Sequence, residues 1–254
     1  MRDFTLDAWA HLLDTLRTAG YGFHRHVDLA SHNLGTQPHV LLRHDVDRLP
    51  RRAAAMAEIE AQRAITATYY FRTKSVSFDP AVIRAVADAG HEIGYHYENL
   101  ADCGGNYEKA WADFERNLAR FDAFGGVRTI AMHGRPLSRH DNRDLWKHYD
   151  YRTLGIKLEP YRDIDWSRYR YFTDTGRRWD DRFNRRDRVG HAIASKPVTT
   201  HDLGRYLLNN RGPVVISAHP ERWTQFGIGF LISSLNDVVS NSIKQTVMSI
   251  GREN

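Results

Sequence analysis

The chain has 254 residues, of which 41% are hydrophobic and 26% charged, so it can bury a sizeable core and is not disordered overall. Its 36 Lys and Arg residues against 31 Asp and Glu give a net charge of +5, a balance too weak to indicate nucleic-acid binding. Cys103 is the single cysteine, which excludes a disulfide framework and a multi-cysteine zinc site. The sequence has no signal-peptide pattern and no run of 18 apolar residues, so we expect a cytoplasmic protein without a membrane span.

Helices and strands are predicted to alternate in the first half of the chain. Residues 5–19 predict an amphipathic helix, because Trp9, Leu12 and Leu16 recur at helical spacing before Gly20. The next predicted elements, in chain order, are a strand at 39–43, a helix at 50–63, a strand at 65–71, a helix at 80–90, a strand at 92–95 and a helix at 107–124.

The alternation continues in the second half. The predicted elements are a strand at 128–132, a short helix at 142–148, strands at 153–157 and 170–173, a helix at 199–209, a strand at 213–218 and a C-terminal helix at 230–250. The polar residues 174–197 indicate a loop. Strands followed by helices indicate right-handed crossovers and a parallel sheet. Seven such strands predict one α/β domain over residues 1–254, and a distorted seven-stranded (β/α) barrel fits that number better than an open sheet.

Ionisable side chains follow six of the seven predicted strands. They are Asp45, Asp47, Arg72, His96, His133, Arg135, Asp174 and His219. The carboxyl ends of parallel strands meet at one mouth, where the connecting loops converge. We therefore predict a functional site there.

The residue types at this mouth indicate metal chemistry. Asp45 and Asp47 are two apart on an extended segment, so their carboxylates point the same way. Their repulsion is relieved by a cation, or by a division into one base and one ligand. His96 and His133 are then credible ligands for zinc or a similar ion, and His219 could donate a proton from the opposite wall.

The order of these motifs resembles that of the polysaccharide deacetylase family, also called the NodB homology domain or carbohydrate esterase family four. The segments that carry the resemblance are LRHDVD at 42–47, ATYYF at 67–71, GHEIGYH at 90–96, RP at 135–136 and VISAH at 215–219. Together they span most of the chain, from about residue 40 to 223.

The resemblance implies a NodB-like barrel and metal-assisted removal of acetyl from an N-acetylated sugar. Asp45 then matches the family's base, Asp47 its metal-binding aspartate and His96 its first metal histidine. Arg135 matches the arginine that orients the base, and His219 matches the acid. A further acidic residue would hold that arginine, for which the candidates are Asp174 and Asp180.

Two departures from the family pattern bear on the metal. Val46 separates two aspartates that are usually adjacent, so their roles could be exchanged. Leu100 stands where the family has its second metal histidine, and catalytic zinc normally has three protein ligands. His133 is our candidate for the third ligand, with Glu98 next.

Several side chains near the predicted mouth are candidate substrate contacts. Tyr70, Tyr97, Trp179 and Trp223 could stack on a sugar ring. Arg72, at the end of the second predicted strand, is a polar candidate.

These features favour a Zn²⁺-dependent hydrolase that removes acetyl from an N-acetylated sugar or glycan precursor, in surface polysaccharide biosynthesis. The alternatives are hydrolysis of another C–N bond and a non-catalytic carbohydrate-binding protein. Leu100 favours the binding protein, whereas the retention of Asp45, Arg135 and His219 counts against it. The basic segment 177–188 indicates a solvated loop of ion pairs or, alternatively, an anion clamp for a diphosphate-linked sugar.

Overall fold

The helices and strands of this protein begin where short-range sequence signals place them. The computed structural model describes residues 2–135, 138–184, 187, 189–190, 193, 195–227, 230–231 and 233–235. Its first elements are α1 (Leu6–Thr18), β1 (Gly22–His24), α2 (His26–Ser31), β2 (His39–Val46), α3 (Pro50–Ala61), β3 (Thr68–Phe71), α4 (Pro80–Asp88) and β4 (Glu92–Tyr97). The Thr5 hydroxyl accepts from the amide of Ala8 at the start of α1, and Asp79 caps α4 in the same way ahead of Pro80.

The second half is made of shorter elements. They are α5 (Asn99–Asp102), α6 (Tyr107–Leu118), β5 (Ile130–Met132), α7 (Pro160–Asp163), β6 (Arg170–Thr173), α8 (Thr200–Asn209) and β7 (Val214–Ala218), with 3₁₀ turns at Ala119–Phe124, Asn142–Lys147, Tyr151–Leu154 and Pro220–Arg222. Thr199 and Asp202 form a capping box at the start of α8. None of the helices in the described residues is long and apolar enough to cross a bilayer.

The seven strands form one parallel sheet, as the alternating pattern predicts. Their order is β5-β4-β3-β2-β7-β6, and β1 pairs with the amino-terminal end of β2. The sheet curls into a partial barrel, and among the described residues β5 and β6 form its two ends. The predicted α/β class is thus confirmed, and the described residues contain seven strands, six of them at predicted positions. The carboxyl ends of the six strands from β2 to β7 lie at the same edge of the sheet, whereas β1 ends beside Leu41, partway along β2.

Two strands differ from the sequence prediction. β1 was not predicted, because its three residues carry no apolar run. The strand predicted at 153–157 is wrong, since a 3₁₀ turn occupies Tyr151–Leu154 and Gly155 follows it with φ of 80°. The carboxylate of Asp150 accepts from the amide of Arg152 and starts that turn. In the part of the chain that the structure describes, an isolated bridge from Leu158 to Thr129 is all that continues the sheet beyond β5. The helix predicted at 230–250 lies for the most part outside the described residues.

Side chains alternate between the two faces of β2, and this alternation positions the site. His44 faces the helices, where its ring stacks on Tyr69 and meets the edge of Trp9 from α1. Arg43 and Asp45 point to the opposite face, inside the curl of the sheet. On β4 the inner face is crowded at Gly94, where a Cβ would lie 2.3 Å from a ring carbon of Tyr70. Glycine at this position therefore permits the close approach of β3 and β4.

A buried carboxylate on α3 joins the N-terminal helix to the sheet. Glu60 accepts from Trp9 Nε1 at 2.9 Å and from the Tyr69 hydroxyl at 2.8 Å, and His44 Nε2 lies 2.8 Å from it. Burial alone would raise the pKa of Glu60, but the neighbouring His44 outweighs burial and lowers it. A carboxylate shielded from solvent is stable here only because each of its oxygens accepts a hydrogen bond.

We expect Glu60→Ala to lower the free energy of unfolding by about 3 kcal/mol, because it leaves buried donors on Trp9 and Tyr69 unpaired. Chemical denaturation followed by tryptophan fluorescence measures the change. Glu58→Ala is the matched control, since Glu58 is an exposed residue of the same helix and should change stability by less than about 0.5 kcal/mol. Equal effects of the two substitutions would contradict this role for Glu60.

Candidate metal centre

Three candidate metal ligands converge at the carboxyl ends of neighbouring strands. Asp47 follows β2, His96 lies in β4 and His133 follows β5. One Asp47 oxygen, Oδ1, lies 3.4 Å from His96 Nε2 and 3.5 Å from His133 Nε2. The three ligand atoms all lie within 4.8 Å of one another. A tetrahedral ion with ligand distances of about 2.0–2.1 Å holds its donors roughly 3.3 Å apart, so these atoms fit a divalent cation.

Hydrogen bonds on the far side of each imidazole orient it toward Asp47. His96 Nδ1 lies 2.9 Å from the carbonyl oxygen of Ala131, and His133 Nδ1 lies 3.1 Å from Glu98 Oε2. Because both partners are acceptors, each Nδ1 is the donor in these contacts, and each Nε2 faces Asp47, where it can offer its lone pair to a cation once it is deprotonated. Asp47 Oδ1 is buried and has no hydrogen-bond donor among the described residues. That orphaned oxygen and two inward lone pairs are the donor set that a zinc ion requires.

Asp47 and the neighbouring histidines shift one another's pKa values in favour of their charged forms. Burial alone would raise the pKa of Asp47, but His133 and His96 hold it well below its usual range. Burial would likewise lower the pKa of His133, yet Asp47 and Glu98 raise it to about 9. The centre therefore attracts positive charge, from a proton or from a metal ion.

Glu98, the second candidate for the third ligand, lies behind His133. Its carboxylate accepts from Arg72 Nε at 2.8 Å, from Arg135 Nη1 at 3.1 Å and from His133. Burial would raise the pKa of Glu98, but these partners lower it to about 2. Glu98 is thus an ionised support for His133. Arg72 also donates to the backbone oxygen of Asp47 at 3.1 Å, so the predicted substrate contact instead fixes this corner of the centre.

Asp45 lies beside the three ligands and has a partner of its own. Its two oxygens accept from Arg43 Nε at 2.7 Å and from Arg43 Nη2 at 2.8 Å. Its Oδ2 lies 3.7 Å from His96 Nε2. Burial would raise the pKa of Asp45, but Arg43 outweighs it and the net direction is down. The two aspartates that the sequence left interchangeable therefore have different surroundings.

His219, at the end of β7, is held by a buried carboxylate at the end of the neighbouring strand β6. Asp174 Oδ1 lies 2.6 Å from His219 Nδ1, and Asp174 Oδ2 accepts from the His219 amide at 3.0 Å. Arg222 and the indole of Trp223 also donate to Asp174, at 2.5 and 2.8 Å. Burial and Arg222 lower the pKa of His219, but Asp174 outweighs them and raises it. The other ring nitrogen of His219, Nε2, is therefore the one that can interact with a ligand in the cleft.

The positions of Arg135, Asp174 and Asp180 differ from those expected from the resemblance. The guanidinium of Arg135 pairs with Glu98 and Asp102, each at 3.1 Å, and not with Asp45. Asp174 holds His219 instead of Arg135. Asp180 pairs with Arg178, its neighbour but one in the chain. These partners could not be predicted from the sequence, because the pairing of charges across a barrel depends on the directions of the side chains.

The predicted aromatic contacts are also wrong. Tyr70, Tyr97, Trp179 and Trp223 are all fully buried and none is available to stack on a sugar. Trp223 packs against Trp9, and Trp179 stacks on Phe4. Strand alternation offered a signal for Tyr97, since a strand that turns His96 into the cleft turns the next side chain to the other face.

One cleft brings together the six principal predicted residues. Asp45, Asp47, His96, His133, Arg135 and His219 all line it. Its remaining polar lining was not predicted from the sequence, and consists of Tyr161, Thr175, Asn184, Asp187 and Arg222. Tyr161 belongs to α7, a short helix that follows segment 153–157, where a strand was predicted. The arrangement can hold a cation between the carboxylate of Asp47 and the imidazoles of His96 and His133.

Comparisons with known proteins give matches among solved structures alone. No protein-family model matches the chain, and no curated protein matches it significantly. A family 4 carbohydrate esterase from Streptomyces lividans, in complex with acetate, is 16% identical with a TM-score of 0.46, and the match covers 85% of this chain and 91% of that one. An esterase of the same family from Streptococcus mutans is 17% identical with a TM-score of 0.47, over 92% of this chain and 90% of that one.

A third similar structure, from Bacillus anthracis, is described as a pseudoenzyme of the same family. It is 14% identical with a TM-score of 0.43, and the match covers 75% of this chain and 70% of that one. The family in these descriptions is the one that the sequence motifs resemble.

We expect His133→Ala to lower the affinity for Zn²⁺ by more than about 100-fold, because only one aspartate and one histidine would remain. Equilibrium titration with a competing chromophoric chelator measures this affinity. His201→Ala is the matched control, since His201 is exposed on α8, away from the ligands. Unchanged affinity in the His133 variant would remove it from the ligand set.

Proposed function

We propose that this protein is a metal-dependent hydrolase that removes the acetyl group from an N-acetylated sugar or glycan precursor, in surface polysaccharide biosynthesis. The observation that carries the proposal is the convergence of a three-donor cation site with two groups suited to proton transfer. Asp45 stands beside the donors, and His219 lines the same cleft. A carbohydrate-binding site alone has no need of that combination.

The reaction consumes one water, breaks the C–N bond and one O–H bond of the water, and forms a C–O and an N–H bond. The water oxygen adds to the acetyl carbonyl carbon while Asp45 accepts one of the water's protons. The C–N bond then breaks, and His219 donates a proton from Nε2 to the leaving nitrogen. Acetate and a free amino sugar are the products. A divalent cation held by Asp47, His96 and His133, with Zn²⁺ as the expected ion, would supply Lewis-acid polarisation of the carbonyl.

The surroundings of the two proton-transfer groups suit these roles. Arg43 lowers the pKa of Asp45, which keeps it ionised and able to accept a proton at neutral pH. Asp174 raises the pKa of His219 and fixes its ring through Nδ1. The protonated imidazole is thus available as an acid above its ordinary titration range. A base of low pKa and an acid of raised pKa that line one cleft, here at the ends of the neighbouring strands β2 and β7, are typical of hydrolytic sites.

A non-catalytic carbohydrate-binding protein is the second candidate, and Leu100 is the observation that favours it. Leu100 is buried in the core, so the family's second histidine has no equivalent at that position. His133 compensates for this loss in our proposal. Hydrolysis of another C–N bond would use the same residues on a different acyl group.

The decisive experiment measures metal content and acetate release on the same preparation. Protein purified without chelator or nickel affinity, then supplied with Zn²⁺ or Co²⁺, should hold about one ion per chain and release acetate from N-acetylhexosamines presented free, as oligomers or nucleotide-linked. We expect Asp45→Asn and His219→Asn each to lower kcat by about 100- to 10,000-fold, since each removes a proton-transfer group. Asp180→Asn is the control and should leave kcat unchanged.

Three outcomes would contradict the proposal. A chain that stays empty after the addition of either metal would favour the binding protein. A metal-loaded chain that binds N-acetylated sugars without releasing acetate would also do so. Release of a different acid from another amide would favour the alternative hydrolase.

The pH dependence gives a separate prediction. His219 acts in its protonated form, so kcat/KM should fall as pH rises through the pKa of His219. Asp174 raises that pKa, and Asp174→Asn removes the raising charge while leaving Arg222, which lowers it. The alkaline limb of the kcat/KM profile should therefore move to lower pH in Asp174→Asn. A limb that stays in place or moves to higher pH would refute this role of Asp174.

A further inference from the structure

We propose that Arg43 is the residue that positions Asp45 for proton abstraction and keeps it from becoming a metal ligand. The resemblance gives the orienting role to Arg135, so the inference assigns it to a different residue on a different strand. It rests on the proposed function, because positioning a base has consequences only if the base reacts.

The pairing of Arg43 with Asp45 is bidentate and closed to solvent. Nε and Nη2 of Arg43 donate to the two different oxygens of Asp45, at 2.7 and 2.8 Å. Arg43 is 0% exposed and Asp45 is 3% exposed. A fork-to-fork contact fixes the plane of the carboxylate as well as its distance, which a single hydrogen bond does not do.

The backbone that carries the pair is held on both sides. Arg43 lies opposite Thr68 of β3 and opposite Ser217 of β7, and Asp45 lies opposite Tyr70. Residues two apart on such a strand keep a fixed separation on one face. The geometry of the pair therefore follows from the strand itself.

The guanidinium is held on its other sides as well. Its centre lies 5.3 Å from the ring of Tyr70 and 5.1 Å from the ring of Tyr161. Arg43 Nη2 also donates to the Tyr161 hydroxyl at 3.1 Å, and that hydroxyl donates to Asp187 at 2.6 Å. Aromatic faces and a polarised hydroxyl restrict the rotation of the arginine. The orientation of Asp45 is thereby linked to the wall of the cleft.

The neighbouring metal site explains what this restraint achieves. Asp45 and Asp47 point the same way, and Asp45 Oδ2 lies only 3.7 Å from His96 Nε2. A carboxylate free to turn at that distance would reach a cation held by the three ligands. Arg43 occupies both oxygens of Asp45 and leaves the ligand role to Asp47. Arg135 cannot exert this restraint, because its guanidinium pairs with Glu98 and Asp102.

The test combines steady-state kinetics with metal affinity for Arg43→Lys, Arg43→Met and each in the Asp45→Asn background. A lysine keeps the charge but cannot contact both oxygens in one plane, so we expect kcat to fall about 10-fold. Arg43→Met should lower kcat about 100-fold, the order expected when a reacting group is misplaced by about 1 Å. KM should change less than about 3-fold in both, and affinity for Zn²⁺ should be kept or increased as Asp45 turns toward the ion. A merely structural residue would lose affinity together with kcat.

The double variants separate positioning from folding. If Arg43 acts through Asp45, replacing it in the Asp45→Asn background should cost less than about 3-fold in kcat. Circular dichroism identifies variants that do not fold, and Arg43→Lys decides the question if the methionine variant is one of them. Wild-type kcat in Arg43→Lys, or full additivity in the double variants, would overturn the inference alone. A wild-type chain that binds metal but releases no acetate would overturn the proposed function, and this role with it.

Discussion

The period-two alternation of β2 is the constraint on which both the core and the candidate site depend. β2 is buried on both faces and pairs with three other strands. Its outward His44 meets Glu60 and Trp9, and so attaches the N-terminal helix to the sheet. Its inward Arg43 and Asp45 form a charged pair beside the metal ligands. A slip of one residue in register would exchange these faces and leave charges buried without partners on each.

Four carboxylates around the cleft are each neutralised by cationic partners. The pairs are Asp45 with Arg43, Asp47 with His96 and His133, Glu98 with Arg72 and Arg135, and Asp174 with Arg222 and His219. Burying an ionised group without such a partner costs several kcal/mol. The same pairs lower the pKa of all four carboxylates, whereas Asp174 raises the pKa of His219, so the carboxylates stay ionised while the imidazole can carry a proton. The pairing thus provides both the stability of the site and its division of roles.

Sequence reasoning located the site because the rule for parallel strands concerns chain position. Asp47, His96 and His133 each come at or just beyond the end of an apolar run, and the sheet brings those ends together whatever the side chains are. The same reasoning failed for Trp179 and Trp223, because an aromatic residue near the mouth in sequence can equally be a core residue. It also missed the pairing of Arg43 with Asp45. A fork-to-fork pair between residues two apart depends on both side chains turning inward. The direction of a side chain, unlike its place in the chain, follows from packing on the far face.

In the metal centre that we propose, the third donor, His133, comes from the strand next to the one that carries His96. His96 lies opposite Ala131 of β5, and the amide of His133 donates to the carbonyl of Tyr97 at 2.8 Å. The next strand therefore delivers an imidazole beside His96, with ring centroids 5.1 Å apart. Leu100, at the position of the family's second metal histidine, is buried against the core, and Glu98 turns back to support the imidazole of His133. Since a cation responds to donor atoms and their geometry, the loss of one motif histidine is not by itself evidence against a metal site. The donors must be counted in space, and here there are three.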